Sequence, residues 1–209
     1  MARTKVHTEL IVGLDIGSTA VRVVVGQLTS SREMSSELQL IGAAEVVSEG
    51  IQKGQIASIE DAVSSVSGAL EHAEKIVGLP IEHVWVGVSG TQIISQESKG
   101  VIAVSRANSE ITEDDIERAV EAAKNIATPL NYEILHVLPR TYSVDTQSGI
   151  KDPIGMTGMR LEVDTKIIHS VSSHVKNLSK VVYRAGVDID DFVLSILASG
   201  DVVATSRQK

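Results

Sequence analysis

Between Leu10 and Gly26 two apolar runs flank a short polar turn. Ile11, Val12 and Leu14 read as a buried strand, and Val21, Val23 and Val25, spaced by two, as a second. Asp15, Gly17, Ser18 and Thr19 lie between them. A third apolar run covers 38–47, followed by a loop, Ser48-Glu49-Gly50-Ile51-Gln52-Lys53-Gly54. The period then changes to that of a helix: Ile59, Ala62, Val63, Val66, Ala69, Leu70, Ala73, Ile76 and Val77 fall on one face. Ser58 and Asp61 form a capping pair at its start, and Gly78 and Pro80 end it. Val84, Val86 and Val88 give another strand, with Trp85 and Gly87 on its opposite face. Three antiparallel-type strands, a helix and a further strand make half of an α/β domain.

From Ser89 the pattern differs. A hairpin-like run passes through Ile93, Ile94, Val101 and Val104, and a second capped helix starts at Thr112 with Asp115. Ile116, Ala119, Val120, Ala123 and Ile126 form its apolar stripe, opposite Glu113, Asp114, Glu117, Arg118, Glu121 and Lys124. That charged face reads as solvated surface in preference to a docking site. Residues 133–145 read as a strand in which Pro139 requires an edge or a bulge. A Gly/Pro-rich loop over 148–158 leads into a strand at 160–170. Strand, helix, strand, strand is the order of a small α+β module. Val175, Leu178, Val181, Val182 and Ala185 then space a helix that stops at Gly186, and 192–197 reads as a buried strand.

Composition narrows the class. The 209 residues are 43% hydrophobic and 22% charged, enough for a real core. Aromatics are confined to Trp85, Tyr132, Tyr142, Tyr183 and Phe192, so the core is built of Val, Ile, Leu and Ala, as suits buried strands of an α/β fold. A net charge of −8 with no Lys/Arg run argues against nucleic acid as a partner. With no cysteine, disulfides and thiolate metal sites are excluded, which fits a reducing cytosol. The first ten residues are polar, and no apolar run approaches the ~20 residues of a membrane span, so the expectation is a chain neither exported nor membrane-spanning. His7, His72, His83, His136, His169 and His174 include no His-x-x-x-His or Glu-x-x-His pair on a helix, and a surface place or core packing is the preferred reading over metal. Ser, His and Asp form no triad that spacing reveals.

The turn after the first strand carries the candidate chemistry. Small residues there can bring backbone N–H groups close to an anion, and Asp15 at the strand end suits Mg²⁺ or its waters. An ordinary hairpin turn favours the same residues, so the local reading stays open. The spacing is neither Gly-x-x-x-x-Gly-Lys-Ser/Thr nor Gly-x-Gly-x-x-Gly, so P-loop and Rossmann readings fall.

The run Val12-Gly13-Leu14-Asp15-Ile16-Gly17-Ser18-Thr19-Ala20-Val21 resembles the first phosphate motif of the actin, Hsp70 and sugar kinase superfamily. Narrower likenesses follow at Ser48-Glu49-Gly50-Ile51-Gln52-Lys53-Gly54, at Val86-Gly87-Val88-Ser89-Gly90, at the Ile134 to Asp145 run with its His-Val-Leu-Pro core, and at the Gly149 to Leu161 run with Gly-Ile-Lys-Asp-Pro. These resemble the FtsA family of bacterial cell-division proteins, and the resemblance covers nearly the whole chain. It implies an actin-like (ribonuclease H-like) α/β half-domain, subdomain 1A, over 1–86 and 167–209. An inserted strand-helix-strand-strand (SHS2) subdomain, 1C, is implied over 87–166. The resemblance further implies an ATP-binding scaffold that self-associates under the membrane, binds the tubulin-like ring protein FtsZ and recruits later division proteins through 87–166. Its place is the cytoplasm and the cytoplasmic face of the cell membrane at the division site, with ATP controlling assembly and little or no turnover.

Carried over residue by residue, Gly17, Ser18, Thr19 and Ala20 form the β-phosphate turn. Asp15 approaches Mg²⁺ through water, and Arg22 sits near the phosphates, although an alternating strand equally turns Arg22 to solvent. The family continues into a second phosphate motif of the Asp-Ile-Gly-Gly-Gly-Thr type, an adenosine-binding segment, a subdomain pair that docks FtsZ and an amphipathic membrane helix. This sequence contains none of them, so weak binding of ATP and Mg²⁺ is expected of it. The competing readings are a sugar kinase, an Hsp70-type ATPase or an actin-like pilus assembly protein. Kinases and Hsp70 lack the two segments of the inserted module at this place.

Overall fold

The computed structural model describes residues 7–31, 34–104, 109–125 and 128–205. The expected Ile126 of the second helix stripe and the first six residues lie outside these. The chain divides into two compact units, Met1–Gln92 with Ser173–Lys209, and Ile93–Ser172. The sequence reading sets the inserted module at 87–166. Residues 89–92 form a turn that stays with the first unit, and the strand that closes the second runs unbroken to Val171.

The first unit is a five-stranded sheet. β1 (His7–Ile16), β2 (Ala20–Ser31) and β3 (Met34–Val47) form an antiparallel meander. β6 (His83–Val88) and β11 (Asp188–Leu194) add in parallel beyond β1, giving the order β11-β6-β1-β2-β3. A two-residue hairpin, β4 (Ile51–Gln52) and β5 (Gln55–Ile56), occupies the stretch that reads as a loop. α1 (Ile59–Val77) starts and stops where its sequence signals place it. Ser58 accepts the Asp61 N–H at 3.4 Å, and Gly78 closes the helix in the left-handed region. Its buried Ala62, Val66, Ala69, Leu70 and Ala73 share one core with Val21, Val23 and Val25, none of which is exposed to water. α3 (Ser172–Arg184) buries Val175, Leu178, Val181 and Val182, and Arg184 reaches Glu60 at 2.8 Å. The opposite face of the sheet carries exposed apolar side chains: Val24, Leu38, Leu40 and Trp85.

One correction falls in this unit. The stretch 192–197 reads as a buried strand, but β11 ends at Leu194 and Ser195 starts a helix, α4 (Ser195–Val203). Leu194 is buried whereas Ile196 is 73% exposed. A short apolar run does not distinguish strand from helix by its pattern.

The second unit is a four-stranded antiparallel sheet with α2 (Glu113–Lys124) on one face. β7 (Ile93–Ala103), β10 (Arg160–Val171), β8 (Tyr132–Val144) and β9 (Gln147–Ile150) lie in that order. Two expectations change here. The run read as hairpin-like is one continuous strand, Ile93–Ala103. Its polar middle is no turn, and Gly100 lies where the α2 backbone comes closest. The 148–158 loop begins as a strand, since β9 pairs with β8 through Tyr142 and Val144. Pro139 does lie beside a bulge: Thr165 pairs with Pro139 and Asp164 with Thr141, so Arg140 is skipped. A second bulge skips Leu135. α2 begins as its sequence predicts. The Asp115 carboxylate, 1% exposed, accepts from the Thr112 N–H at 3.1 Å and hydroxyl at 2.9 Å, and from Arg118 at 3.0 Å. The core beneath it contains Val104, Ile111, Ala119, Ala123, Tyr142, Val144, Leu161 and Val163.

Two of the histidines, His169 and His174, are buried. His169 in β10 is fully buried with neither ring nitrogen hydrogen-bonded, and desolvation holds its pKa below the ordinary value. His174 in α3 is depressed by desolvation too, partly offset by a hydrogen bond to the Ser89 backbone. Both favour the neutral ring in the native state. Below about pH 6.5 the unfolded chain therefore binds more protons than the folded one. Stability should be highest at neutral pH, fall as pH drops through that value and level off below the native pKa. Urea midpoints at about pH 7.5 and about pH 5.5 check this, and His169→Leu should shrink the difference. A wild-type midpoint that does not move would contradict it.

Candidate functional site

Three parallel strands, β1, β6 and β11, end on the same side of the sheet, and in α/β sheets ligands bind at such carboxyl ends. Strand register places one residue from each of the five strands in a row. Val193 pairs with Gly87, Gly87 with Asp15, Asp15 with Arg22 and Arg22 with Glu45. The alternation that buries Leu14, Val21, Val23 and Val86 turns this row to the open face. Arg22 donates to Glu45 at 2.7 Å and stands 4.0 Å from Asp15, with all three side chains well exposed. Arg22 lines the cleft, and its guanidinium is engaged by carboxylates.

The turn follows directly. Gly17 N–H closes it on the Ala20 carbonyl at 3.1 Å, leaving Ser18 and Thr19 exposed at its tip and Ala20 buried. A Cβ at Gly17 would stand 2.9 Å from that carbonyl oxygen, so the tight turn admits no side chain there. The turn is braced from outside. The Ser18 hydroxyl accepts the Gly54 N–H at 2.8 Å, and the Thr19 carbonyl accepts the Ser48 N–H at 3.1 Å. Gly54 adopts φ 75° after Lys53 at φ 50°, the backbone of a two-residue hairpin turn.

A cleft of about 560 Å³ opens over the row, lined by Gly13, Asp15, Arg22, Trp85, Gly87 and Ser195 among others. Of the residues singled out from sequence, Asp15 and Arg22 line this cleft. Gly17, Ser18 and Thr19 form the adjoining turn, and Ala20 contributes only its backbone. Residues missed from sequence are Gly87, Trp85 and Ser195. Trp85 and Gly87 are legible as the outward face of β6, whereas Ser195 lies 180 positions from its partner Asp15 and carries no local signal. Among the described residues no group of three or more His, Cys, Asp or Glu could hold a metal ion.

A meander, a crossover helix and two parallel strands, interrupted by a separate α+β unit, define an actin-like fold. In the solved structures the chain resembles the PilM-PilN type IV pilus biogenesis complex, with a TM-score of 0.58 over 91% of this chain and 49% of that one; at 14% identity the likeness is one of fold. Residues 90–169 match the family described as the SHS2 domain inserted in FtsA. Over 96% of its length the chain is 39% identical to the cell division protein FtsA of Borreliella burgdorferi, and over 97% it is 38% identical to that of Bacillus subtilis. By sequence and fold the chain belongs to the FtsA family. It spans about half the length of the curated relatives it matches, 48% and 45% of these two.

Proposed function

We propose that this chain is the phosphate-binding part of an actin-like ATP-binding scaffold of bacterial cell division. The observation that supports it is the tight turn after β1, with Asp15 at the end of a parallel strand facing an open cleft, in a chain of the FtsA family. Gly17, Ser18, Thr19 and Ala20 would hold the β-phosphate by backbone approach, as short polar turns do for anions. Asp15 would meet Mg²⁺ through water, and Arg22 would add positive charge at the cleft wall. The glycine that a side chain would crowd and the Asp15 carboxylate lining the cleft both fit a magnesium-bound nucleotide. Bound Mg²⁺ would neutralise phosphate charge, while this chain's residues position the phosphates. In this reading ATP governs assembly and is turned over weakly or not at all.

The partners proposed are those of a division scaffold: FtsZ and further copies of the scaffold in the longer protein, and later division proteins through the 93–172 unit. The site of action proposed is the cytoplasmic face of the cell membrane at the division site. No helix among the described residues is long and apolar enough to cross a membrane. The match of 90–169 to the inserted SHS2 domain favours this reading over a sugar kinase or an Hsp70-type ATPase.

The cleft of this chain supplies one phosphate turn and an open wall, so binding should be millimolar, since each missing contact of about 1 to 3 kcal/mol weakens it by roughly an order of magnitude. Titration with Mg·ATP followed by amide NMR should shift Gly17, Ser18 and Thr19 at millimolar nucleotide, and Gly17→Val should abolish the shifts. Shifts confined to the 93–172 unit would overturn the reading, and micromolar binding by calorimetry would overturn the expected weakness.

A further inference from the structure

We infer that Ser195 is a positioning residue for Asp15 and that Gly87 is the position that admits it, an inference that rests on the phosphate-site reading above. The Ser195 hydroxyl, in the first turn of α4, donates to Asp15 Oδ1 at 3.2 Å. The bond runs across the end of β6. A Cβ at Gly87 would stand 2.7 Å from Ser195 Oγ and 3.1 Å from Asp15 Oδ1, so any other residue there wedges the two apart. The other carboxylate oxygen, Oδ2, lies 4.0 Å from Arg22. Asp15 is therefore held from β2 on one side and from α4 on the other, and its remaining lone pairs face the cleft that all four residues line.

Such fixing matters for a hard cation. Mg²⁺ demands near-ideal octahedral geometry and keeps several of its waters, so a carboxylate that orients those waters serves only if its plane is fixed. Partners that orient a metal-facing carboxylate typically change affinity by about 10- to 100-fold when removed. Ser195 is half-buried, so deleting its hydroxyl leaves no closed cavity. The same bond ties α4 to the end of β1. Half of the site is thus built from a helix remote in sequence, while the phosphate turn is built locally.

The test uses the full chain and Mn·ATP, whose paramagnetic broadening of amide signals reports millimolar binding. Wild type should broaden around Asp15, Gly17 and Ser89. Ser195→Ala should need about tenfold more Mn·ATP for the same broadening with unchanged thermal unfolding. Ser195→Thr, which restores the hydroxyl, should recover the wild-type response, and Gly87→Ala should lose it as Ser195→Ala does. Equal broadening in wild type and Ser195→Ala would overturn the positioning role and leave the phosphate reading standing. Absence of broadening around Asp15 in wild type would overturn the phosphate reading and this inference together. A lowered melting temperature with an unaltered Mn·ATP response would assign Ser195 to helix stability alone and so overturn the inference.

Discussion

Replacing Gly100 with valine is expected to unfold the 93–172 unit. Gly100 sits in β7 directly beneath α2, where an added Cβ would collide with the Ala119 carbonyl oxygen and stand 2.8 Å from the Ala123 nitrogen. Both obstacles are helix backbone, which cannot rotate aside as a side chain can. To admit valine the helix has to lift, and Ala119 and Ala123, both fully buried, leave the core with it. Overpacking alone costs about 1 to 3 kcal/mol, and the loss of helix-to-sheet contact adds to it. For a unit of this size that is a large share of total stability. Far-UV circular dichroism and the amide spectrum of the 93–172 residues should both report the loss, and Gly100→Ala should show it in weaker form. A Gly100→Val variant with a native spectrum would mean that α2 does not pack as described.

The second large effect is expected at the end of the first unit. Leu194 closes β11 and is 7% exposed, while Ile196 two positions on is 73% exposed. Leu194→Lys places an unpaired charge inside and should cost on the order of 3 kcal/mol or more. Ile196→Lys should change stability by less than about 0.5 kcal/mol. It should also reduce self-association, because Ile196, Leu197, Val202 and Val203 of α4 and Leu38, Leu40 and Trp85 of the sheet are all exposed apolar surface. Urea midpoints separate the two variants, and sedimentation compares Ile196→Lys with wild type. A strand reading of 192–197 makes the opposite forecast for residue 196, so equal destabilisation by both substitutions would restore it.

Much of the fold was legible because local signals and packing agree. Ser58 with Asp61 and Gly78 bound α1, Thr112 with Asp115 starts α2, and the alternation of Val21, Val23 and Val25 marks a buried face. The misreadings arose where tertiary contact decides. The polar stretch around Gln96 to Lys99 has the composition of a turn, yet stays extended because β10 pairs with it throughout and α2 fits over Gly100. After Leu194 the chain turns helical although its apolar content is unchanged. The site divides in the same way. Asp15, Gly17, Ser18 and Thr19 are adjacent in sequence and so are visible together. Ser195 and Gly87 become neighbours of Asp15 only through parallel strand pairing, which no local pattern records.

The irregular course of β8 makes one border of the second unit's sheet unlike a regular strand edge. Its outer border is paired with β9 only through Tyr142 and Val144, and the remainder resembles the kind of strand margin onto which foreign chains zip. Bulges at Leu135 and Arg140 and the missing N–H of Pro139 break that margin at short intervals. An incoming strand would find no run of evenly spaced donors and acceptors to copy. The opposite margin of the sheet differs: β7 pairs with β10 without a register shift and, among the described residues, has no strand beyond it, so the two borders of this unit offer an incoming chain unlike templates.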